Sequence, residues 1–318
     1  MSVSHPLDLI KHTLANGLPS LSVEQRQAEA RLLAEGVFGM PYTALLTKPA
    51  DFFAAKPFQS AWANLHTLLE ARINNQVPLQ YLLGEAWFLG RPFSVSPAVL
   101  IPRPETELLV EKGLELIKPS AQTAMNIPLR WADVGTGSGC IAISLALALQ
   151  EQHPDVPFQG VATDISAKAL AVASSNAEKF NLTPEAINFV LADVLQPLAT
   201  SDKLISSFDL IISNPPYISP ALASSLTEEV RNHEPASALF AEDEGFEMIR
   251  RLIEQAVGVL NPNGFLLIEV GSGMPKTVAE WEFVQSHFTV LSVWSDYAGH
   301  ERFLTLQRKD NSNSFVLC

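Results

Sequence analysis

The stretch Ser213-Asn214-Pro215-Pro216-Tyr217-Ile218-Ser219 follows directly on Phe208-Asp209-Leu210-Ile211-Ile212, a short apolar run with the pattern of a buried strand. Two adjacent prolines cannot continue a sheet, because neither donates a ladder hydrogen bond. The turn is therefore stiff, and it carries unusual groups. Asn214 offers a side-chain oxygen. Pro215 offers a backbone carbonyl, held in place because Pro216 keeps the residue before it extended. Tyr217 offers a flat ring. Two acceptors and an aromatic face suit a planar nitrogen group held by its N–H bonds. A proline-stiffened loop with a packed tyrosine would have the same sequence, so the neighbours must decide.

A second candidate is "WADVGTGSGCIAISLALAL", residues 131–149, which reads as strand, glycine loop and helix. Gly135, Gly137 and Gly139 give G-x-G-x-G. The dinucleotide fingerprint G-x-G-x-x-G would need glycine at position 140, which is Cys140. The loop thus allows close approach of a ligand to backbone but lacks the pyrophosphate spacing, and a plain tight turn remains open. Two acids add context. Asp164 ends the next expected strand, where a carboxylate can accept both hydroxyls of a ribose, and Asp193 ends the one after, where it or Val194 could border an adenine ring. Each Asp alone would serve equally as a helix cap.

The elements that must position these groups are legible from periodicity. Expected strands fall at 129–134, 159–163, 187–191, 208–213, 264–270, 289–294 and 302–307, and expected helices at 140–150, 166–180, 245–260 and 275–286. Such alternation predicts a parallel sheet covered by helices, an α/β fold. Only "SDYAGHE" separates the last two strands, too little for a crossover, so they should run antiparallel. In open parallel sheets ligands bind at the carboxyl ends of the strands, which puts the glycine loop, Asp164, Asp193 and the Asn-Pro-Pro-Tyr turn on one rim.

Before residue 79 the pattern is helical, with apolar Ala28, Leu32, Leu33 and Val37, then Leu65, Leu68, Leu69 and Ile73. Ser22-Val23-Glu24-Gln25 has the form of a capping box. Residues 79–104 read as a hairpin or extended connector, and "PETELLVEKGLELI" as a helix begun by Pro104. The expected domains are a helical substrate-recognition domain at 1–78, a hairpin connector at 79–104, a catalytic domain at 105–308 and a flexible tail at 309–318.

The chain has 318 residues and a net charge of −13. Residues 1–120 hold 10 Lys/Arg against 11 Asp/Glu, whereas 121–318 hold 11 against 23. So acidic a second part disfavours a phosphate backbone as partner. No apolar run reaches the ~18–20 residues that span a membrane. The first twenty residues have one Lys, no Arg and no apolar core, unlike a targeting peptide. Cys140 and Cys318 form no disulfide framework or metal spacing. A cytoplasmic protein without metal or membrane partner is expected.

From about residue 129 the chain resembles the class I S-adenosylmethionine-dependent methyltransferases, whose mostly parallel, Rossmann-like sheet of seven strands ends in a reversed hairpin. "DVGTGSG" is similar to their first motif, which makes Gly135, Thr136, Gly137, Ser138 and Gly139 cofactor-binding. The resemblance puts Asp133 near the methionine amine, Asp164 on the ribose, and Asp193 and Val194 on the adenine side. Asn214 then lies beside both cofactor and substrate, and Asn214, Pro215 and Tyr217 become the catalytic set. A conjugated amide or aryl amine is a poor nucleophile. Two acceptors that gain strength as charge builds on nitrogen are what methyl transfer to it requires. The cofactor implied is S-adenosyl-L-methionine, with S-adenosyl-L-homocysteine as product.

Asn-Pro-Pro-Tyr occurs both in protein glutamine N5-methyltransferases and in amino-methyltransferases of nucleic-acid bases. "QRQAEARLLAEGV", "PLQYLLGEAWFLGRPFSVSPAVLIPRPETELLVE", "HEPASALFAEDEGFEMIRRLIEQA", "GFLLIEVG" and "DYAGHERFLTL" further resemble the peptide chain release factor glutamine methyltransferases (the HemK/PrmC family), over about residues 22–308. The resemblance implies methylation of the side-chain nitrogen of Gln in the Gly-Gly-Gln loop of class 1 release factors. The acidic catalytic half and the lack of an inserted basic or aromatic-rich base-recognition domain predict no nucleic-acid partner, and a monomer is expected. The alternatives are a sister branch acting on a ribosomal protein, and a nucleic-acid enzyme. The family places Arg103, Glu105 and Thr106 over the site, where they touch substrate or cofactor or only cap a helix; Pro216 belongs to the substrate clamp. Two features depart from the family. "LQEQHPDVPFQG" is long, and Val194 replaces the larger aromatic of some members. Phe88 and Phe93 either line the pocket or pack within the hairpin, and the run at 241–247 and His300-Glu301-Arg302 are expected to face solvent.

Overall fold

The computed structural model describes residues 5–117, 127–196 and 208–310. Residues 118–126 and most of the tail expected at 309–318 lie outside them. The chain divides into two compact units, one taking the chain up to Glu85 together with Thr227–His233, the other taking Ala86–Leu226 and Glu234 onward.

The first unit is helical, with α-helices at Pro6–Gly17, Val23–Phe38, Tyr42–Thr47, Gln59–Asn74, Leu79–Leu83 and Glu228–His233. The capping box is present: Gln25 N–H donates to Ser22 Oγ at 3.2 Å and Ser22 N–H donates to Gln25 Oε1 at 2.8 Å. It satisfies two amides that would otherwise lack partners. The buried face of this helix is Ala30, Leu33, Ala34 and Phe38, so Ala28 and Leu32 of the expected stripe lie outside it. Phe38 sets the core, with the rings of Phe53, Phe58 and Trp62 centred 5.3, 5.9 and 5.3 Å away, distances at which edge-on and tilted rings attract. Arg72 is buried between Glu29 and Glu229, 2.7 and 3.1 Å distant.

A hairpin of β1 (Glu85–Phe88) and β2 (Arg91–Ser94), all but its first residue in the second unit, follows. Its turn residues Leu89 and Gly90 both have positive φ, 48° and 70°, the form whose twist matches paired strands. Phe88 and Phe93 pack edge to face in the core, 6.1 Å apart. The connector expected at 79–104 thus begins with a helical turn, Leu79–Leu83, before the hairpin. After it, the turn Pro104–Thr106 leads into the helix Glu107–Leu116.

The main sheet contains β3 (Leu129–Val134), β4 (Phe158–Asp164), β5 (Ile187–Leu191), β6 (Phe208–Ser213), β7 (Leu260–Glu269), β8 (Phe288–Ser295) and β9 (Glu301–Arg308) in the order β5-β4-β3-β6-β7-β9-β8. The first five pair in parallel, and β9 is antiparallel to both β7 and β8. This is the expected seven-stranded sheet with a reversed last pair. Alternate residues feed opposite faces. Trp131, Leu210, Ile212 and Leu267 pack with the helices Glu107–Leu116 and Cys140–Gln152, while Ala132, Ile211, Leu266 and Ile268 pack with Glu247–Val259. Residues buried on both faces explain why these strands read as continuous apolar runs.

The helix expected at 275–286 is instead two short ones, Met274–Ala279 and Glu282–His287. Trp281 between them is extended (φ −60°, ψ 133°), and its ring packs edge-on against Phe246 with the Arg250 guanidinium over it. Tertiary packing overrides the helical pattern there. Among the described residues no helix is long and apolar enough to cross a membrane.

Candidate active site

Strand register assembles the rim. Val134 pairs with Thr163 on one side and with Ser213 on the other, and Ser213 pairs with Ile268. The next residues, Asp164, Gly135, Asn214 and Glu269, therefore leave four adjacent strands side by side. The chain reverses direction across the sheet here, β3 leading out to β4 and β5 and β6 returning on β3's other flank. Open α/β sheets form their ligand crevice at such a place.

The glycine loop lies at this point, and Gly135, Gly137 and Gly139 all have positive φ, 73°, 56° and 80°, which only glycine adopts without strain. Gly139 also touches the neighbouring helix: a Cβ there would be 3.1 Å from the Cβ of Ala173. Thr136 and Ser138 are both buried. Gly137 N–H donates to Asp164 Oδ2 at 2.9 Å and Ser166 N–H to Asp164 Oδ1 at 2.8 Å, which ties the acid to the loop. Burial pushes the Asp164 carboxyl up, against these bonds. Asp133 is fully buried. Its Oδ2 accepts Thr136 Oγ1–H at 2.7 Å and Ala142 N–H at 3.2 Å, but its Oδ1 has no hydrogen-bond partner. Burial pushes its pKa to about 7. An orphaned buried carboxylate oxygen behind a glycine loop fits a cationic amine.

The Asn-Pro-Pro-Tyr turn faces Thr106, which the resemblance placed over the site, and through it Glu269, which the sequence did not assign. Asn214 Nδ2 donates to Thr106 Oγ1 at 3.0 Å, and Thr106 Oγ1 donates to Glu269 Oε2 at 2.7 Å. One N–H of the amide is thus engaged, and its oxygen points away from that bond. Pro215 is buried, while Pro216 and Tyr217 are partly exposed. Burial raises the Tyr217 hydroxyl to about 12, with Glu269 adding to the shift and Arg302 and Arg103 opposing it. Gly245 (φ +94°) supports the turn from behind; a Cβ there would lie 2.2 Å from the Tyr217 carbonyl oxygen. The run at 241–247 is therefore part of the turn's support and not simply a solvated helix start.

The remaining candidates are placed as follows. Arg103 is ion-paired with Glu234 at 2.6 Å, and the other oxygen of Glu234 accepts Ile101 N–H, so this arginine is held in place. Glu105 is partly exposed in the Pro104–Thr106 turn and acts electrostatically on both Tyr217 and Glu269. Asp193 pairs with Arg251. Val194 has a positive φ of 61° and a side chain buried in the core; Thr163 Oγ1 holds its carbonyl at 2.9 Å. Of His300-Glu301-Arg302, Arg302 does not point to solvent. Its Nε donates to Asp296 at 2.8 Å, and its charge reaches Glu269 and Tyr217. Glu234 and Glu269, which the sequence did not single out, gain their roles through partners distant in sequence, as Thr106 does; the strand-end position of Glu269 was the local signal available.

The comparisons agree with this fold. A methyltransferase-domain family model matches residues 129–309. The release factor glutamine methyltransferase of Nitratidesulfovibrio vulgaris is 40% identical over 252 residues, 77% of each chain. That of Chlorobaculum tepidum is 36% identical over 299 residues, 94% of this chain and 96% of its own. This chain belongs to the release factor glutamine methyltransferase family. In fold, a solved human methyltransferase 10 domain containing protein is similar, with a TM-score of 0.50 at 19% identity over 70% of this chain and 90% of that one. For a member of the release factor glutamine methyltransferase family, the methyltransferase domain implies S-adenosylmethionine as cofactor, and the glycine loop, Asp133 and Asp164 fit that group.

Proposed function

We propose that this protein methylates the side-chain amide nitrogen of the Gln in the Gly-Gly-Gln loop of class 1 release factors, and that Asn214, Pro215 and Tyr217 carry the reaction. The observation that carries this reading is the amide of Asn214, tied by its nitrogen to Thr106 and left with its oxygen as an acceptor.

S-adenosylmethionine supplies an electrophilic methyl group on a sulfonium sulfur. Asp133 would hold its amine, the backbone of Gly135–Gly139 would admit its body, Asp164 its ribose, and Asp193 and Val194 would border its adenine. The chain's own work is to hold the glutamine nitrogen. Asn214 Oδ1 accepts one N–H and the Pro215 carbonyl the other, and both bonds strengthen as positive charge develops on nitrogen. Tyr217 lies along the amide plane, and its raised pKa keeps it neutral, so it brings no competing charge. The departing proton passes to water. Alignment supplies much of the rate; oriented reactions gain on the order of 7–11 kcal/mol. Arg103 and Glu105 border the substrate, and the N-terminal helical unit recognises the factor outside its loop, since remote binding energy is what positions a poor nucleophile.

The test is methyl transfer from labelled cofactor to purified release factor, a Gln→Ala loop variant, ribosomes and RNA in parallel. Label is expected on the intact factor alone. Label on ribosomal protein or RNA and none on the factor would overturn the assignment.

A further inference from the structure

Glu269 is a carboxyl only 2% exposed, and the clamp as described gives it no task. Register puts it beside Asn214 at the end of β7, and Thr106, 3% exposed, lies between them in the hydrogen-bond chain. A threonine hydroxyl has one proton to give and lone pairs to receive with. An ionised carboxylate can only accept, so it takes that proton and leaves Thr106 facing Asn214 with lone pairs alone. Asn214 must then present its NH2 to Thr106 and its oxygen outward. Turned over, the amide would set oxygen against lone pairs and donors against the substrate's N–H bonds.

We propose that Glu269, acting through Thr106, is the positioning residue that fixes the Asn214 amide with its oxygen toward the substrate nitrogen. This rests on the clamp described under the proposed function. The groups acting on Glu269 are Thr106, Arg302, Glu105, Arg103 and Tyr217, with Arg302 itself tied to Asp296. Burial is the largest influence and raises the carboxyl to about 7, while the Thr106 bond and Arg302 pull it down. A protonated Glu269 can donate to Thr106, which frees the threonine proton for Asn214 Oδ1 and releases the amide to turn. The competent form is the ionised one, so kcat falls as pH drops through the Glu269 pKa.

Three variants test this on the full chain. Thr106→Val keeps the volume and removes the relay; kcat is expected to fall on the order of a hundredfold, as for a misplaced reacting group, with KM for the substrate little changed. Thr106→Ser restores the hydroxyl and should recover most of the rate. Glu269→Gln does not titrate, so the acid limb of kcat should vanish. The nitrogen-15 signal of the Asn214 side-chain amide, assigned by its absence in Asn214→Ala, should titrate across the neutral range in wild type and not in Glu269→Gln, and it needs no substrate. Full activity in Thr106→Val, an acid limb that survives in Glu269→Gln, or an amide signal that does not titrate in wild type would overturn the relay. If wild type methylates something other than a release factor, the substrate assignment fails while the variant ratios on that substrate still judge the relay.

Discussion

Asn214 shows how one side chain is made into a one-sided acceptor. One N–H of its amide is bound within the protein, which turns its oxygen toward a ligand. Gly245 protects this arrangement from behind. Gly245→Ala would place a methyl 2.2 Å from the Tyr217 carbonyl at a φ of +94°, so it should cost at least about 1 kcal/mol and lower kcat; thermal melting and turnover measured together check both. Asp133 gives a pH prediction. Its pKa near 7 in the free protein means that the carboxylate wanted by a cationic amine is lost as pH falls through that value. Cofactor affinity should therefore weaken on acidification from pH 8 to 6, and Asp133→Asn should bind weakly with no such dependence, as read by calorimetry. The same raised value means that Asp133 contributes stability below its unfolded pKa, near 4, and loses it as pH rises through about 7. The Asn-Pro-Pro-Tyr turn and the glycine loop were legible because their chemistry is local. Glu269 was not, because its partner Thr106 stands 163 positions away.

At the scale of elements, the sheet acts as a ruler. Pairing of Thr163, Val134, Ser213 and Ile268 in one line delivers four candidate site residues to one edge. A slip of one residue in β6 would turn Asn214 to the other face. Gly160 guards the register from within. It pairs with Trp131, and a Cβ would lie 2.3 Å from that indole, so Gly160→Ala should overpack the sheet by about 1–3 kcal/mol, measurable by urea unfolding. All seven strands of this sheet were legible, since apolar runs bounded by turns leave little choice when both faces are covered. The break at Trp281 was not. Nothing in "MPKTVAEWEFVQSH" forbids a helix, and only the pocket formed by Phe246 and Arg250 draws that ring inward.

Over the whole molecule, acidic excess lies in residues 121–318, and the helical unit has its own charged keystone. Arg72 is buried between Glu29 and Glu229, which joins the segment Thr227–His233 to helices more than 150 residues earlier in the chain (a separation of 157 from Arg72). Arg72→Ala leaves two carboxylates facing a void and should destabilise that unit by about 3 kcal/mol; faster amide exchange in Gln59–Asn74 is the check. That Thr227–His233 belongs with the N-terminal helices was invisible in sequence, because the partners of Glu229 and His233, Arg72 and the Asn75 carbonyl, stand more than 150 positions away. The proposed reaction draws on all three scales, with Asn214 at the centre of the rim that would methylate a release factor's glutamine. The most direct measurement is mass spectrometry of the peptide containing the Gly-Gly-Gln sequence after reaction of the factor with wild-type protein or Asn214→Ala. The expected result is one methyl group on the glutamine side chain with wild type and none over the same time with the variant. A methyl group elsewhere, or equal modification by Asn214→Ala, would contradict it.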